Sequence, residues 1–261
     1  MRMGNPSMRK VLRSAETEGM SASSEKATYG GIATKSLLFG AITFFATLLT
    51  ALLLRKAFAN QDEVLLTVVI TGALASAIPM IILSLVVAFV PSTVKVLGFV
   101  YSLLQGVLLG VFVFFADAMY PGVAVAAVLG TLIVFAISVA LNKLLEVKIS
   151  NRVFRGMFIA FVSFLALELI LFVLSFFVPN ISALFAAYLW IQLAISAFCV
   201  VYATVMLLWD LQMADAIVEM GAEKRYEWQV AFSLVTTIVY MYVEILELLL
   251  RILMIFGKNR D

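Results

Sequence analysis

Residues 64–90 read VLLTVVITGALASAIPMIILSLVVAFV, and no charged side chain occurs among them. An α-helix needs about 20 apolar residues to cross the roughly 30 Å hydrocarbon core of a bilayer. This stretch is long enough to do so, and a water-soluble fold of this length could not bury so much apolar surface. The stretch therefore predicts a transmembrane helix.

Six further stretches of similar length and composition occur along the chain. The seven predicted spans are residues 36–54, 64–90, 96–116, 122–142, 156–178, 181–208 and 229–256. The connections between them are mostly short, which forces neighbouring helices to be antiparallel. We therefore predict an all-α, polytopic membrane protein of seven transmembrane helices, with a polar tail at 1–35 and a transmembrane domain at 36–257.

The composition supports a membrane protein and excludes several kinds of function. Of 261 residues, 64% are hydrophobic and 13% are charged, whereas soluble domains are roughly 45–50% apolar and 25% charged. The net charge of +2 gives no reason to expect a nucleic-acid partner. The chain has no histidine, which excludes histidine catalysis and histidine metal ligands. We expect no cofactor and no enzymatic activity, and we expect the single Cys199 to serve helix packing.

The distribution of basic residues predicts the orientation in the membrane. Seven crossings place the two termini on opposite sides. With the N-terminus inside, 13 of the 18 Lys and Arg residues lie on the inner side. The positive-inside rule then places the N-terminus in the cytoplasm and the C-terminus outside. Trp209, Tyr226 and Trp228 bracket the sixth loop and predict an aromatic belt at the inner interface, whereas we assign no chemistry to the tail.

Small residues and a proline predict where the helices pack and bend. Gly106 and Gly110 form a GxxxG pair in the third span, and Ala126 and Gly130 form a similar pair in the fourth. Such faces let helix backbones approach closely. Pro79, in the middle of the second span, predicts a kink that is structural rather than functional.

Ionisable side chains inside the spans are the candidates for function, because a charge at a helix centre costs roughly 2.5–3.5 kcal/mol on insertion scales. They are Glu168 in the fifth span, Asp210 at the end of the sixth, and Glu244, Glu247 and Arg251 in the seventh. Each allows a structural reading as well as a place on an ion pathway. Asp210 follows Trp209 and could simply lie at the interface, and Glu168 could be a protonated acid packed between helices.

The seventh span carries the densest group of charges. Glu247 and Arg251 are spaced i, i+4 with the acid first, the favourable order for an ion pair on one helix face. In the structural reading they neutralise each other. Glu244 lies on nearly the same face, and one arginine cannot neutralise both acids well. At least one acid is therefore expected to be protonated, hydrated or paired with another helix.

Four segments together resemble the Bax inhibitor family of transmembrane proteins. Residues 207–212, LLWDLQ, resemble its sixth-helix signature of an aromatic residue, Asp and leucine, and residues 242–248, YVEILEL, resemble its seventh helix. Residues 221–228, GAEKRYEW, look like the loop of its bacterial branch, and residues 101–110, YSLLQGVLLG, are similar to its third helix. With the seven-span layout, the resemblance covers about residues 30–257.

The resemblance implies a fold with the last helix at the centre of the other six. It also implies a pH-sensitive Ca²⁺ leak in the bacterial inner membrane, gated by two carboxylates that share a proton. Carried onto this chain, those carboxylates are Asp210 and Glu244, which are also the candidate Ca²⁺ ligands. A helix ruler of 1.5 Å per residue sets the two roughly 10 Å or more apart in the simplest placement. The over-long sixth and seventh stretches allow that register to slide.

Two departures and two other readings accompany the resemblance. The family's second helix carries an acid and a nearby arginine that help seal the pore, whereas residues 64–90 have no charge, and Gln105 stands where an acid often occurs. A second reading is an interaction protein whose tail engages a membrane-bound ATP-dependent protease, without ion conduction. An intramembrane aspartyl protease is disfavoured, because the chain has no Gly-x-Gly-Asp sequence.

Overall fold

The computed structural model describes residues 25–145, 148–175 and 189–257, and these are helical apart from short connections. The helices are α1 Tyr29–Ala59, α2 Glu63–Ala75, α3 Ala77–Phe89, α4 Val94–Met119, α5 Val123–Lys143, α6 Asn151–Ser175, α7 Leu189–Glu219 and α8 Tyr226–Phe256. A 3₁₀ turn, Pro91–Thr93, precedes α4. Within these ranges the only β-type pairing is an isolated antiparallel bridge between Lys26 and Glu223.

Five helical segments are long and apolar enough to cross a membrane. They are Tyr29–Ala59, Glu63–Phe89, Pro91–Met119, Val123–Lys143 and Trp190–Glu219. They overlap with five of the predicted spans, with α2 and α3 forming one span and α7 overlapping the sixth. Helix α7 extends to Glu219, beyond the predicted end of that span at residue 208, and residues 181–188 of the predicted span lie outside the described residues. The predicted fifth and seventh spans fall on α6 and α8. That α6 and α8 also cross, and that α8 is central, stay predictions.

The second span is broken where its proline requires a break. Pro79 has no backbone N–H. In a continuous helix its ring would also clash with the carbonyl group of Ala75, four residues earlier. Helix α2 ends at that residue, and α3 begins at Ala77. Between them, the Ser76 hydroxyl donates a 2.6 Å hydrogen bond to the Ala73 carbonyl. The predicted kink is thus a local interruption of the helix.

The described residues form two compact units. The first contains the described residues up to Ala124 together with Asp210–Thr236, and the second contains the described residues of Val125–Trp209 and those from Thr237 onward. Helices α7 and α8 each contribute one part to each unit. Asp210 therefore belongs to the first unit and Glu244 to the second.

In the first unit, a stripe of small residues on α4 packs against α1. Gly98, Ser102, Gly106 and Gly110 are spaced by four and are all buried. A Cβ atom added to Gly110 would lie 2.6 Å from the Thr50 Cβ, so the backbones touch closely there. The predicted GxxxG face is confirmed.

In the second unit, α5 packs on α8 at Gly130, one member of the predicted small-residue pair, whereas the other member, Ala126, is exposed. A Cβ atom added to Gly130 would lie 3.1 Å from Ile245 Cγ2. Nearby, the Phe161 ring of α6 stacks on Tyr202 of α7 with centroids 4.3 Å apart. These contacts hold the unit's helices side by side.

The outer surfaces of the helices are strongly apolar. Leu37, Val64 and Phe89 are 74%, 75% and 73% exposed, and many other large apolar side chains are exposed along the same helices. Soluble monomers rarely expose such extended apolar surface. The helices are therefore surrounded by lipid, and the chain is an integral membrane protein.

Candidate functional site

Asp210 is a buried carboxylate inside the first unit. It lies on α7 and is only 5% exposed. The Ser233 hydroxyl of α8 donates a 2.8 Å hydrogen bond to its Oδ1 atom. A buried carboxylate is costly unless hydrogen bonds or charges compensate it. Burial argues against a residue that simply faces interfacial water.

Glu244 belongs to a polar cluster in the second unit. Its carboxyl group is partly buried and interacts electrostatically with Tyr240 one turn earlier on α8 and with Cys199 on α7. Glu247 and Arg251 act on it along the same helix. Glu244 therefore shares its cationic neighbour, Arg251, with Glu247.

Arg251 connects α8 to the beginning of α7. One guanidinium nitrogen donates to Glu247, as its i, i+4 spacing predicts, and another donates to the backbone carbonyl of Gln192. The Arg251 side chain is 17% exposed and that of Glu247 is 45% exposed. The structure thus brings Glu244, Glu247 and Arg251 into one group.

Two of the sequence predictions are left untested by these contacts. Glu168 lies on α6, but its side chain lies outside the described residues. Asp210 and Glu244 each have described surroundings within their own unit, and their sharing of a proton stays a prediction. In the described part of the chain, no group of three or more acidic, Cys or His side chains could hold a metal ion by itself.

A buried ion pair that the sequence reading missed lies at the start of α1 and α8. Lys35 of α1 pairs with Glu227, whose side chain is completely buried. Glu227 also accepts hydrogen bonds from the backbone N–H and the hydroxyl of Thr28, at 2.8 and 3.2 Å. We call the contact of residues 25–28 and Lys35 with residues 222–228 the clasp. Thr28 and Lys35 belong to the predicted polar tail 1–35, within which α1 begins at Tyr29.

Aromatic packing and one glycine enclose the clasp. The Lys35 ammonium lies 5.1 Å from the Trp228 ring centroid, a cation–π contact, and Trp228 packs against Phe39. Gly31 leaves the room for the Glu227 carboxylate, which a Cβ atom at that position would strike. The predicted aromatic belt is wrong in part, because Trp209 and Tyr226 are 5% and 4% exposed and thus packed inside the protein.

The loop that carries Glu227 is shaped by the end of α7. Gly221 has φ +62, and Ala222 N–H donates to the Ile217 carbonyl at 3.1 Å, which is the Schellman arrangement that glycine favours. The loop then pairs with the tail, since Ala27 N–H donates to the Ala222 carbonyl at 2.7 Å and Lys224 N–H to the Glu25 carbonyl at 2.8 Å. Two helix ends are thereby joined by backbone hydrogen bonds.

The clasp contains two ion pairs with different exposure. Burial alone would raise the pKa of Glu227, but the hydrogen bonds from Lys35 and Thr28 outweigh it and hold the pKa below its usual 4.5. The Glu25–Lys224 pair, at 2.5 Å, lies in solvent. Its hydrogen bond and charge interaction lower the pKa of Glu25 and raise that of Lys224.

The clasp also constrains the membrane topology. Residues 25–28 contact the α7–α8 connection directly, so both lie on the same side of the membrane. The chain between them must then cross an even number of times. The six spans predicted before residue 222 meet this condition, and the cytoplasmic location of both segments stays a prediction.

Comparison with known proteins identifies the family but adds no characterised relative. The family model described as Bax inhibitor 1 like matches residues 5–254. No curated protein and no solved structure matches the chain significantly. The family match covers nearly the whole chain, including both carboxylate sites and the clasp, and so the chain belongs to the Bax inhibitor 1 like family.

Proposed function

We propose that this protein is a passive leak for cations, Ca²⁺ in particular, controlled by the carboxyl groups of Asp210 and Glu244. The observation that carries the proposal is Asp210, a carboxylate held inside an apolar helix unit by a hydroxyl donor. A charged side chain costs free energy to insert into a membrane, so one that is buried there is a candidate for an ion pathway. The partly buried Glu244 with its surrounding acid and arginine supplies the second group.

The chemistry of a carboxyl gate follows from low dielectric surroundings. Two acids that lie close together in such surroundings cannot both ionise cheaply, so the pair titrates as a unit and one proton leaves at higher pH than for a free acid. A divalent cation relieves the repulsion of the ionised pair. Ca²⁺ is the appropriate cation because it prefers oxygen ligands, and carboxylates supply them.

The test is Ca²⁺ flux into proteoliposomes containing the purified protein, measured from pH 5 to pH 8. We expect a pH-dependent flux in the wild type, and we expect that dependence to be lost or shifted in Asp210→Asn and in Glu244→Gln. Glu219→Gln is the matched control, because Glu219 is exposed at the end of α7. Absence of flux at every pH would refute the leak, and an unaltered pH response in both variants would refute the site.

As an alternative function, we propose an interaction role in which the N-terminal tail engages a membrane-bound ATP-dependent protease. The clasp limits which deletion of the tail can test this role. Thr28 and Lys35 are bound to Glu227, so a deletion must stop before Glu25. Removal of residues 2–24 is expected to abolish the partner's effect and to spare Ca²⁺ flux. A tail deletion that changes flux and leaves partner binding intact would reject this role.

A further inference from the structure

Ser196 on α7 and Ser36 on α1 are buried helical hydroxyls without a hydrogen bond among the described residues. Seven helical hydroxyls in the described residues donate to the carbonyl four residues earlier, those of Thr34, Thr43, Thr47, Thr71, Thr131, Ser138 and Thr204. This bond satisfies a polar group inside an apolar environment. Ser196 is 1% exposed, and its hydroxyl makes no hydrogen bond among the described residues.

A contact of Arg251 gives a physical reason why the Ser196 hydroxyl is unpaired. The carbonyl four residues before Ser196 is that of Gln192, and it accepts a hydrogen bond from the Arg251 guanidinium. In an α-helix this oxygen also accepts the backbone N–H of residue 196, and a carbonyl oxygen has two lone pairs. The usual acceptor for the Ser196 hydroxyl is therefore occupied by a cation from another helix.

Helix register places the Ser196 hydroxyl within the acidic cluster. Gln192, Ser196 and Cys199 are spaced i, i+4, i+7 and share one face of α7. That face contacts Arg251 through Gln192 and Glu244 through Cys199, so Ser196 lies between these two contacts. The Tyr240 hydroxyl is also buried, and it interacts with Glu244.

The cluster thus contains two acidic side chains but only one basic side chain. Glu244 and Glu247 together carry two formal negative charges when ionised, and Arg251 carries one positive charge. Carboxylate and hydroxyl oxygens are ligands that hard cations such as Ca²⁺ accept. Among the described residues, no group of three or more Asp, Glu, Cys and His side chains could hold a metal ion by itself.

We propose that Arg251 is the resident counter-ion of a cation-accepting site formed by Glu244, Glu247, Ser196 and Tyr240, and that a divalent cation displaces its guanidinium. This inference rests on the proposed leak function. Arg251 lies near the end of α8 at Phe256, and Gln192 lies near the start of α7 at Leu189. Seven residues at 1.5 Å each set Arg251 about 10 Å along the helix from Glu244. A cation that enters from the C-terminal end of α8 meets Arg251 first.

The first arm of the test is Ca²⁺ flux through Arg251→Gln. Loss of the competing cation is expected to raise flux by about tenfold, which corresponds to a competing interaction of about 1.4 kcal/mol. Arg251→Lys retains the charge but lacks the guanidinium group that donates to both Gln192 and Glu247, so it is expected to give an intermediate flux. It also serves as a second variant if Arg251→Gln folds poorly. Arg55→Gln removes an equal charge at an exposed position of α1 and is the control.

The second arm uses the chain's single cysteine as a reporter. Cys199 is 4% exposed and interacts with Glu244. We expect thiosulfonate reagents to label it slowly in the wild type. In Arg251→Gln, a cationic reagent should label it faster than an anionic one, because two carboxylates then lack a counter-ion. A merely loosened structure would admit both reagents alike, and Glu244→Gln in the Arg251→Gln background should weaken the preference for the cation.

The outcomes separate this inference from the proposed function. If the wild type conducts Ca²⁺ and Arg251→Gln changes neither the flux nor the labelling rates, Arg251 is not the counter-ion and the leak function stands. If Cys199 labels faster without preference for the cationic reagent, the charge argument is wrong. If neither the wild type nor any variant conducts Ca²⁺ at any pH, the leak function and this inference are both refuted.

Discussion

The ammonium group of Lys35 and the carboxylate of Glu227 form an ion pair although the residues lie 192 positions apart in the sequence. Both side chains are removed from solvent, with exposures of 11% and 0%. Each depends on the other, because a buried charge without its partner is strongly destabilising. The pair therefore fixes the first turns of α1 against the first turn of α8, and the clasp is the feature through which the tail becomes part of the fold.

Removal of one partner from this pair is expected to destabilise the protein. Lys35→Met leaves Glu227 as an uncompensated buried charge and is expected to cost about 3–5 kcal/mol of unfolding free energy. The double variant Lys35→Met/Glu227→Leu removes both charges and is expected to recover a large part of that loss. Denaturant titration in detergent micelles measures both.

The exposed pair of the clasp is the control for this comparison. Lys224→Gln breaks the solvent-exposed contact with Glu25, and surface ion pairs contribute little. We expect no measurable change in its unfolding midpoint. A Lys35→Met variant as stable as Lys224→Gln would contradict the role given to the buried pair.

The clasp is expected to keep its strength over the pH range of the flux experiment. The pKa of Glu227 is lowered below 4.5 by Lys35 and Thr28. A group whose pKa is lower in the folded state stabilises the fold above its unfolded pKa, and this stabilisation is lost as the pH falls through the folded pKa. Stability should thus be flat from pH 5 to pH 8 on account of Glu227 and should decline only below about pH 4.5.

Glu227→Gln provides the comparison for this pH dependence. It is expected to be less stable than the wild type at pH 7 and to lose less stability on acidification, and unfolding midpoints between pH 3 and pH 8 measure the difference. If the Glu227 contribution instead changed between pH 5 and pH 8, a clasp that opens in that range would compete with the carboxyl gate as the source of pH sensitivity.

The parts of the fold that the sequence predicted depend on local patterns. A run of apolar residues such as 64–90 predicts a span because the bilayer thickness sets its length. The spacing of Gly106 and Gly110 predicts a packing face because residues four apart lie on one side of a helix. Thr28 could have located the start of α1 at Tyr29, since threonine before a helix is a capping residue and its hydroxyl does accept the Gly31 N–H at 3.0 Å.

The parts that the sequence did not predict depend on contacts between distant segments. Lys35 resembles any basic residue of a cytoplasmic tail, and no periodicity connects it with Glu227. The sequence around Trp209 does not distinguish a tryptophan in a membrane belt from one that, as here, stacks on Phe154 with ring centroids 4.4 Å apart. Asp210 was found because a charge beside an apolar span is unusual, whereas its donor Ser233 gives no such signal.

The two possible deletions of the tail are expected to differ in stability. Removal of residues 2–24 leaves every clasp contact in place, so the folded protein should be retained. Removal of residues 2–35 also deletes Thr28 and Lys35 and leaves the Glu227 carboxylate without its donors. We expect little folded protein from the longer deletion, judged by size-exclusion chromatography in detergent. Equal folded yields would mean that the clasp is dispensable.

Glycine-to-alanine substitutions separate helix packing from helix propensity. Gly110 of α4 has no room for a side chain, because an added Cβ atom would lie 2.6 Å from the Thr50 Cβ and 2.7 Å from the Thr47 carbonyl oxygen. Gly110→Ala should therefore cost about 1–3 kcal/mol of unfolding free energy through overpacking. Gly72 of α2 has no atom within 4 Å of such a Cβ, and Gly72→Ala should gain about 0.5–1 kcal/mol because alanine favours the helix. A Gly110→Ala variant that is as stable as Gly72→Ala would show that α4 does not pack on α1 through its glycines.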